Sequence, residues 1–330
     1  MSAPLASTDE TSNDIAFESP DKWFAGGARV DYDPQAGVVS GGSGQLNVFL
    51  RPEGDTASIV TFLPGFPDGS FGWARVRRHL PGSDLMPKLF MDFVGMGDSD
   101  KPKDYSYSTA ERTDLVEAIW RALSVQSTVL VGFDFSSLVI LEHLRRRLER
   151  AAQGARQQLP DIRGVFIFNG GLFPEGHTHP WYTTPMLRRL PKPAWRGLAR
   201  SFGMFKRTTR PMWSKSYAVS DAEIRDLQEV LKRHDGGFYL AAAAGFVADH
   251  KKQGKRLDFG DLFRAYRQQF PFFIGGSRED PFEHRQLWLA EKLACDGLEI
   301  GRLPGGHSTT SEHPEALAAL ITQFVENLPK

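Results

Sequence analysis

Val129-Leu130-Val131-Gly132-Phe133-Asp134-Phe135-Ser136-Ser137-Leu138-Val139-Ile140 decides how the chain is read. The apolar, β-branched run Val129–Val131 reads as a buried strand. It reaches Gly-x-Asp-x-Ser and passes at once into an apolar helix. Strand, tight turn and helix in that order form the setting that presents a nucleophile at a strand end. Gly132 and Ser136 are small, as a turn that brings strand and helix close together requires. Asp134 at the apex carries a carboxylate. An ordinary strand-to-helix turn with aspartate as N-cap fits the same twelve residues equally well, so the rest of the chain has to decide.

Working outward, strands and helices alternate. Ala28–Tyr32 and Gln45–Leu50 read as strands joined by a Gly-rich turn, Gly41–Gly44. Ser58–Leu63 is a third strand and runs into Pro64-Gly65-Phe66-Pro67-Asp68-Gly69. Lys88–Phe93 is a fourth, ending in the turn-rich loop Val94–Pro102. Thr109–Leu123 has helical periodicity. The opening stretch supplies the fifth strand, Gly164–Phe168 the sixth, Phe270–Gly276 the seventh and Leu298–Ile300 the eighth. Glu315–Leu328 is a closing amphipathic helix. This alternation predicts an α/β fold: a mostly parallel eight-stranded sheet with helices on both faces. In such sheets function gathers at the carboxyl ends of strands. Three special loops lie there: Pro64–Gly69, Gly132–Ser136 and Asn169–Gly171.

The alternation breaks from about Phe173 to Arg264, where helical pieces stand between Pro and Gly. The expected organisation is a loose tail over residues 1–20, a core made of 21–172 and 266–330, and a helical cap over 173–265, inserted between the sixth and seventh strands. Within the cap, Arg188, Arg189, Lys192, Arg196, Arg200, Lys206, Arg207, Arg210 and Lys215 are uninterrupted by any acidic residue. Trp195, Phe202, Phe205 and Trp213 are interleaved. A solvated lid surface with its aromatics packed inward is the first reading; contact with a membrane or an anionic partner is the second.

Composition narrows the class. Forty basic residues balance forty acidic ones in 330 residues, so no global charge favours nucleic acid. The single cysteine, Cys295, allows no intramolecular disulfide, and a cytoplasmic setting is the default expectation. No apolar run approaches the roughly 20 residues of a membrane span. No Cys/His cluster has ligand spacing and no dinucleotide fingerprint follows the first strand, so neither metal nor organic cofactor is expected. The expected partner is a small-molecule substrate, met by a monomer or homodimer.

Five motifs in order together resemble the α/β-hydrolase fold family, and within it the branch with an aspartate nucleophile. That branch holds haloalkane dehalogenases, epoxide hydrolases and mesoderm-specific-transcript-like proteins. Pro64–Pro67 is similar to the family's oxyanion loop, with Pro64 in place of the usual His. Asp92–Pro102 resembles its glycine-rich loop, and Gly132–Ser136 its elbow. Asn169-Gly170-Gly171-Leu172-Phe173-Pro174-Glu175 looks most like the mesoderm-specific-transcript group. Leu303-Pro304-Gly305-Gly306-His307 resembles the catalytic-histidine loop.

The resemblance implies a triad of Asp134, His307 and Asp280. Glu279 is the alternative acid, because it lies at the more usual offset from Gly276. A carboxylate can attack an sp³ carbon or a strained ring without a base and forms an alkyl-enzyme ester. His307 would activate the water that hydrolyses this ester. Asp280 would orient the imidazole, and the backbone N–H groups of Phe66 and Phe135 would hold the oxyanion. Asp92 reads as a loop anchor and His313 as structural. Haloalkane dehalogenases place a Trp after the nucleophile, whereas Phe135 has no donor for a halide. Epoxide hydrolases use two cap tyrosines as proton donors, for which Tyr182, Tyr217, Tyr239 and Tyr266 are the candidates. Epoxide-hydrolase-like chemistry on a small apolar epoxide therefore ranks above dehalogenation, with a non-catalytic binding protein of the same fold as the rival.

Overall fold

The computed structural model describes residues 18–40, 46–103, 105–154, 159–176, 194, 197, 199–238, 256–293 and 297–329. Among the described residues nine strands build one sheet: β1 Ala28–Asp33, β2 Val38–Ser40, β3 Leu46–Glu53, β4 Ser58–Phe62, β5 Lys88–Met91, β6 Ser127–Asp134, β7 Asp161–Gly170, β8 Phe272–Ser277 and β9 Leu298–Leu303. Their order is β2-β1-β3-β5-β4-β6-β7-β8-β9. From β5 to β9 every pairing is parallel, and β1, β2 and β3 add an antiparallel edge. The eight expected strands are all present. The ninth, β2, is a three-residue edge strand paired to β1, too short to leave a period in the sequence.

The central strands are buried on both sides, which explains their unbroken apolar composition. Val129, Val131 and Phe133 of β6 face one layer, where they meet Trp73, Leu317, Ile321 and Phe324. Leu130 faces the other, with residues of helices Thr109–Ala122 and Ser136–Ala152. Helices therefore cover both faces. Helix Thr109–Ala122 opens on a capping box, with Ser108 and Glu111 satisfying each other's backbone N–H groups.

Two expected boundaries move. A helix already starts at Pro20, capped by Ser19, and buries Trp23 completely, so residue 20 is part of a packed helix. Helix Phe259–Tyr266, placed in the cap by sequence, packs Phe259, Leu262, Phe263 and Tyr266 into the core layer beside Phe272. The Tyr266 hydroxyl also donates to the Leu144 carbonyl at 3.0 Å. Its amphipathic pattern is the same whether it covers a sheet or a pocket, which is why sequence alone misassigns it.

Between β7 and β8, helices Phe202–Thr209 and Asp221–Lys232 form a small core of their own from Phe205, Met212, Trp213, Ile224, Leu227 and Leu231. Phe71 and Phe282 of the main body pack against it. Of the basic run, Lys206 pairs with Asp221, and Arg210 donates to the carbonyls of Trp213, Ser214 and Tyr217. Arg188, Arg189, Lys192, Trp195 and Arg196 lie outside the described residues. No helix among the described residues is long and apolar enough to cross a membrane.

Candidate active site

Strand β6 ends at Asp134, whose φ of +54° puts it in the left-handed region. Few non-glycine residues adopt that conformation, and aspartate is among those that tolerate it. Helix Ser136–Ala152 starts two residues later. The turn holds itself closed. Ser136 Oγ accepts from the Phe133 N–H and donates to the Phe133 carbonyl, and Ser137 Oγ donates to the Asp134 carbonyl at 2.7 Å. A Cβ on Gly132 would meet Ile140 Cδ1 at 2.8 Å and Ser136 Oγ at 2.9 Å. The small residues of Gly-x-Asp-x-Ser are thus required by the close approach of helix to strand.

Phe66, in the loop after β4, donates its backbone N–H to Asp134 Oδ2 at 2.8 Å. Gly65 packs against the Phe133 ring, where a Cβ would come within 2.4 Å. The loop is fixed at its far end by buried Asp92. That carboxylate accepts from the N–H groups of Ser70 and Asp98 and so ties two loops together. Burial pushes its carboxyl up to about 6, against those two bonds. Phe135, the other expected oxyanion residue, stands at the N-cap of the helix, with its ring under the Arg112 guanidinium.

His307 follows β9. Its Nδ1 lies 2.9 Å from Asp280 Oδ2, and its Nε2 faces Asp134 Oδ1 at 3.5 Å. Asp280 Oδ1 accepts from the N–H groups of Phe282 and Glu283, so the carboxylate is held at both ends. The Phe282 ring stands edge-on to the imidazole at 5.0 Å. Adjacent Glu279 is exposed and accepts from the Lys215 N–H, away from the imidazole. Of the two acids left open by the sequence, geometry places Asp280 on His307. Burial opposes a charge on His307, but Asp280 and Asp134 together outweigh it and hold the imidazole well above its ordinary pKa.

The cap tyrosines divide. Tyr182 and Tyr239 lie outside the described residues. The Tyr217 hydroxyl donates to Glu223 at 2.7 Å and accepts from Arg75 at 2.9 Å. It is therefore set in a polar junction between cap and core, not shown against Asp134. His313 sits before helix Pro314–Glu326, away from the triad's hydrogen bonds.

Three further residues had no assigned role in the sequence. Asn169, with φ of +42° at the end of β7, donates through Nδ2 to the carbonyls of Gly306 and His307 at 3.2 and 3.0 Å. Its Oδ1 accepts from the Ser277 N–H at 2.9 Å. One side chain thus joins β7, β8 and the histidine loop. Glu283 and Asp68 are buried carboxyls close enough to feel the triad. Burial and then Asp280 push Glu283 well above its ordinary range, and Gln286 donates to it at 2.7 Å. Asp68 is pushed up to about 7 by burial, against the pull of His307. Only the Asn169-Gly170-Gly171 motif carried any signal of these roles. Replacing Asn169 with Ala leaves the Ser277 N–H and the loop carbonyls without their partner. The variant should lose about 2–3 kcal/mol of stability in a denaturant titration.

Comparison with known proteins agrees with this architecture. The profile of the Alpha/beta hydrolase family matches residues 62–320. The chain is 28% identical to the mesoderm-specific transcript homolog protein of Bos taurus over 253 residues, covering 73% of this chain and 67% of that protein. It is 31% identical to the putative hydrolase LipZ of Mycobacterium tuberculosis over 276 residues, covering 82% and 89% of the two chains. The crystal structure of the haloalkane dehalogenase DatA from Agrobacterium tumefaciens C58 superposes with a TM-score of 0.64 at 18% identity, covering 91% of this chain and 96% of that one. At that identity the likeness concerns the fold.

Proposed function

The chain belongs to the α/β-hydrolase family, and from that premise we propose that it is a hydrolase working through a covalent ester on Asp134. The observation that carries this reading is the convergence on one carboxylate. A backbone N–H reaches Asp134 Oδ2 at 2.8 Å, and the imidazole paired with Asp280 faces Oδ1 at 3.5 Å.

The charges suggest the order of events. In the resting site the two aspartates favour the charged form of His307 against burial, and the charged form is a poor base. When Asp134 attacks a carbon it becomes a neutral ester, and one of the two supports of the imidazolium disappears. The imidazole pKa then falls and a base appears at the moment when there is an ester to hydrolyse. Water attacks the Asp134 carbonyl carbon and gives a proton to Nε2. The Phe66 N–H stabilises the oxyanion, and Asp280 holds the ring.

A small apolar epoxide suits the described surroundings best. Phe66, Phe135 and Phe282 border the triad. None of these side chains donates a hydrogen bond, so a leaving halide finds no donor among them. An epoxide oxygen stays attached to the product and needs only a proton. Styrene oxide and 1-bromobutane separate the two chemistries. The wild-type protein should form the diol from the first and release no bromide from the second. Bromide release without diol formation would assign dehalogenation instead. Failure on both, with unmodified protein by mass, would favour a binding protein that keeps the fold.

A further inference from the structure

Gln286 opens helix Gln286–Glu291 with its side chain buried, and both ends of the amide are bonded. Oε1 accepts from the Phe173 N–H at 2.7 Å, and Nε2 donates to the Phe173 carbonyl at 2.9 Å. A primary amide can hold the N–H and C=O of one residue at once in this way. Nε2 also donates to Glu283 Oε2 at 2.7 Å. Two acceptors and one donor are thus held by a side chain that brings no charge. Space around it is tight: a Cβ on Gly176 would meet Nε2 at 2.8 Å.

The amide joins two places that matter to the triad. Phe173 stands where the chain leaves β7 for the cap, its ring edge-on to Phe259 at 5.6 Å. Glu283 closes the turn that holds the acid. Its N–H donates to Asp280 Oδ1 at 3.1 Å, beside the Phe282 N–H at 2.8 Å, while Oδ2 of the same carboxylate lies 2.9 Å from His307 Nδ1. Residues 278–285 belong to no helix or strand, so the shape of this segment depends on such bonds. The Gln286 N–H also donates to the Glu283 carbonyl at 3.0 Å, which joins the two residues a second time. From Phe173 through Gln286, Glu283 and Asp280 to His307, no link is longer than 3.1 Å. Burial and Asp280 favour the neutral form of Glu283, which leaves the negative charge of the turn on Asp280.

We propose that Gln286 is a positioning residue: anchored on the Phe173 backbone, it fixes Glu283 and through the Glu283 N–H aims Asp280 at His307. The proposal rests on the hydrolytic reading above. In that reading Asp134 attacks carbon without help from the imidazole, so an acid out of place leaves ester formation intact. Hydrolysis of the ester needs the ring aimed and its new charge supported. That second half-reaction is the step Gln286 serves. The same clamp ties the first residue of the cap to the acid, so a shift of the cap entry is felt at Asp280.

Gln286→Met keeps the length of the side chain and removes its three bonds. NMR titration of ¹⁵N-histidine-labelled protein reads Asp280 through His307 without substrate. The His307 inflection should move to lower pH in Q286M, because a carboxylate less well aimed supports the imidazolium less. In single-turnover mass spectrometry with styrene oxide, Q286M should form the ester on Asp134 at the wild-type rate and hydrolyse it about tenfold more slowly. Glu283→Ala should slow hydrolysis to a similar extent, and the double variant should be no slower than the slower single one. Should Q286M not fold, Gln286→Glu carries both measurements: it keeps an acceptor for the Phe173 N–H and, ionised, has no donor for Glu283. A folded variant with wild-type His307 titration and ester hydrolysis, whatever its melting temperature, would leave Gln286 a clamp of the cap alone and overturn the proposal. Losses that add in the double variant would overturn the route through Glu283. No ester on Asp134 in the wild type would refute the hydrolytic reading itself, and a role for Gln286 in hydrolysis with it.

Discussion

Asp134→Asn should reduce turnover of styrene oxide by about 10⁴-fold or more, the order of loss seen when a catalytic nucleophile is removed. The substitution is chosen because it isolates chemistry from folding. Asparagine tolerates the left-handed backbone conformation at the apex nearly as well as aspartate does. Its side-chain oxygen can still accept from the Phe66 N–H that now reaches Oδ2. Gly132, Ser136 and Ser137, which close the turn, are untouched. The variant should therefore melt as a folded protein by circular dichroism while forming no ester. It should also move His307. With one of its two carboxylates replaced by a neutral group, the imidazole loses part of the support that keeps it protonated. Its titration, followed by NMR, should shift to lower pH than in the wild type. The sign has a consequence for stability. A His raised on folding contributes fully below its unfolded pKa of about 6.5 and loses that contribution as pH rises through the folded pKa. The variant should lose it at a lower pH. An unchanged turnover in a folded D134N would remove the nucleophile from the account.

His307→Gln should separate the two half-reactions. Attack by Asp134 needs no base, so ester formation should survive. Its hydrolysis should slow by about 10²–10⁴-fold, the usual worth of a general base. The ester should accumulate, visible as a mass increase of one substrate on the intact protein and as a burst followed by a stalled steady state. The Gln side chain is of similar length and neutral, so it leaves Asp280 without a cationic partner but keeps a hydrogen-bond donor near it. Asp280 retains the N–H groups of Phe282 and Glu283, which should keep its loop in place. If H307Q hydrolyses the ester at the wild-type rate, another group is the base. The buried carboxyls Asp68 and Glu283 are then the first to replace.

Much of this site could be read from the chain because its central part is local. The run into Gly132, the polar apex and Ser136 all act within eight residues, so sterics alone constrain them. The order of strands and the position of special loops at their carboxyl ends follow from periodicity. What could not be read depends on residues distant in sequence. Glu279 and Asp280 are neighbours, yet one faces solvent and the other is bonded to His307. Only the path of the chain after β8 separates them. Asn169 acts on Gly306 and His307, nearly 140 positions later, and no local pattern announces that. Asp68 looks like a turn residue until the fold buries it. Helix Phe259–Tyr266 has a strong apolar face, but the sequence does not say which surface covers it. Tyr217 was a candidate proton donor by residue type; its hydroxyl belongs to the Arg75–Glu223 junction.

That junction also binds cap to core. Trp213 donates to Ser311 Oγ at 2.8 Å, the Ser308 N–H donates to the Met212 carbonyl, and Glu312 accepts from the N–H groups of both Gly306 and Ser214. The histidine loop is thus fastened on one side by Asn169 and on the other by the cap segment Met212–Ser214. A rigid attachment at this place suits the base role proposed for His307.

The central claim is an ester on Asp134 that water cleaves at the carboxyl carbon. A single turnover of the wild-type protein in heavy-oxygen water, with enzyme in excess over styrene oxide, tests it most directly. The first product should carry ordinary oxygen taken from Asp134, and the peptide containing Asp134 should gain the heavy isotope. Heavy oxygen in the first product, with none in that peptide, would mean that water attacks the substrate directly and would contradict the account.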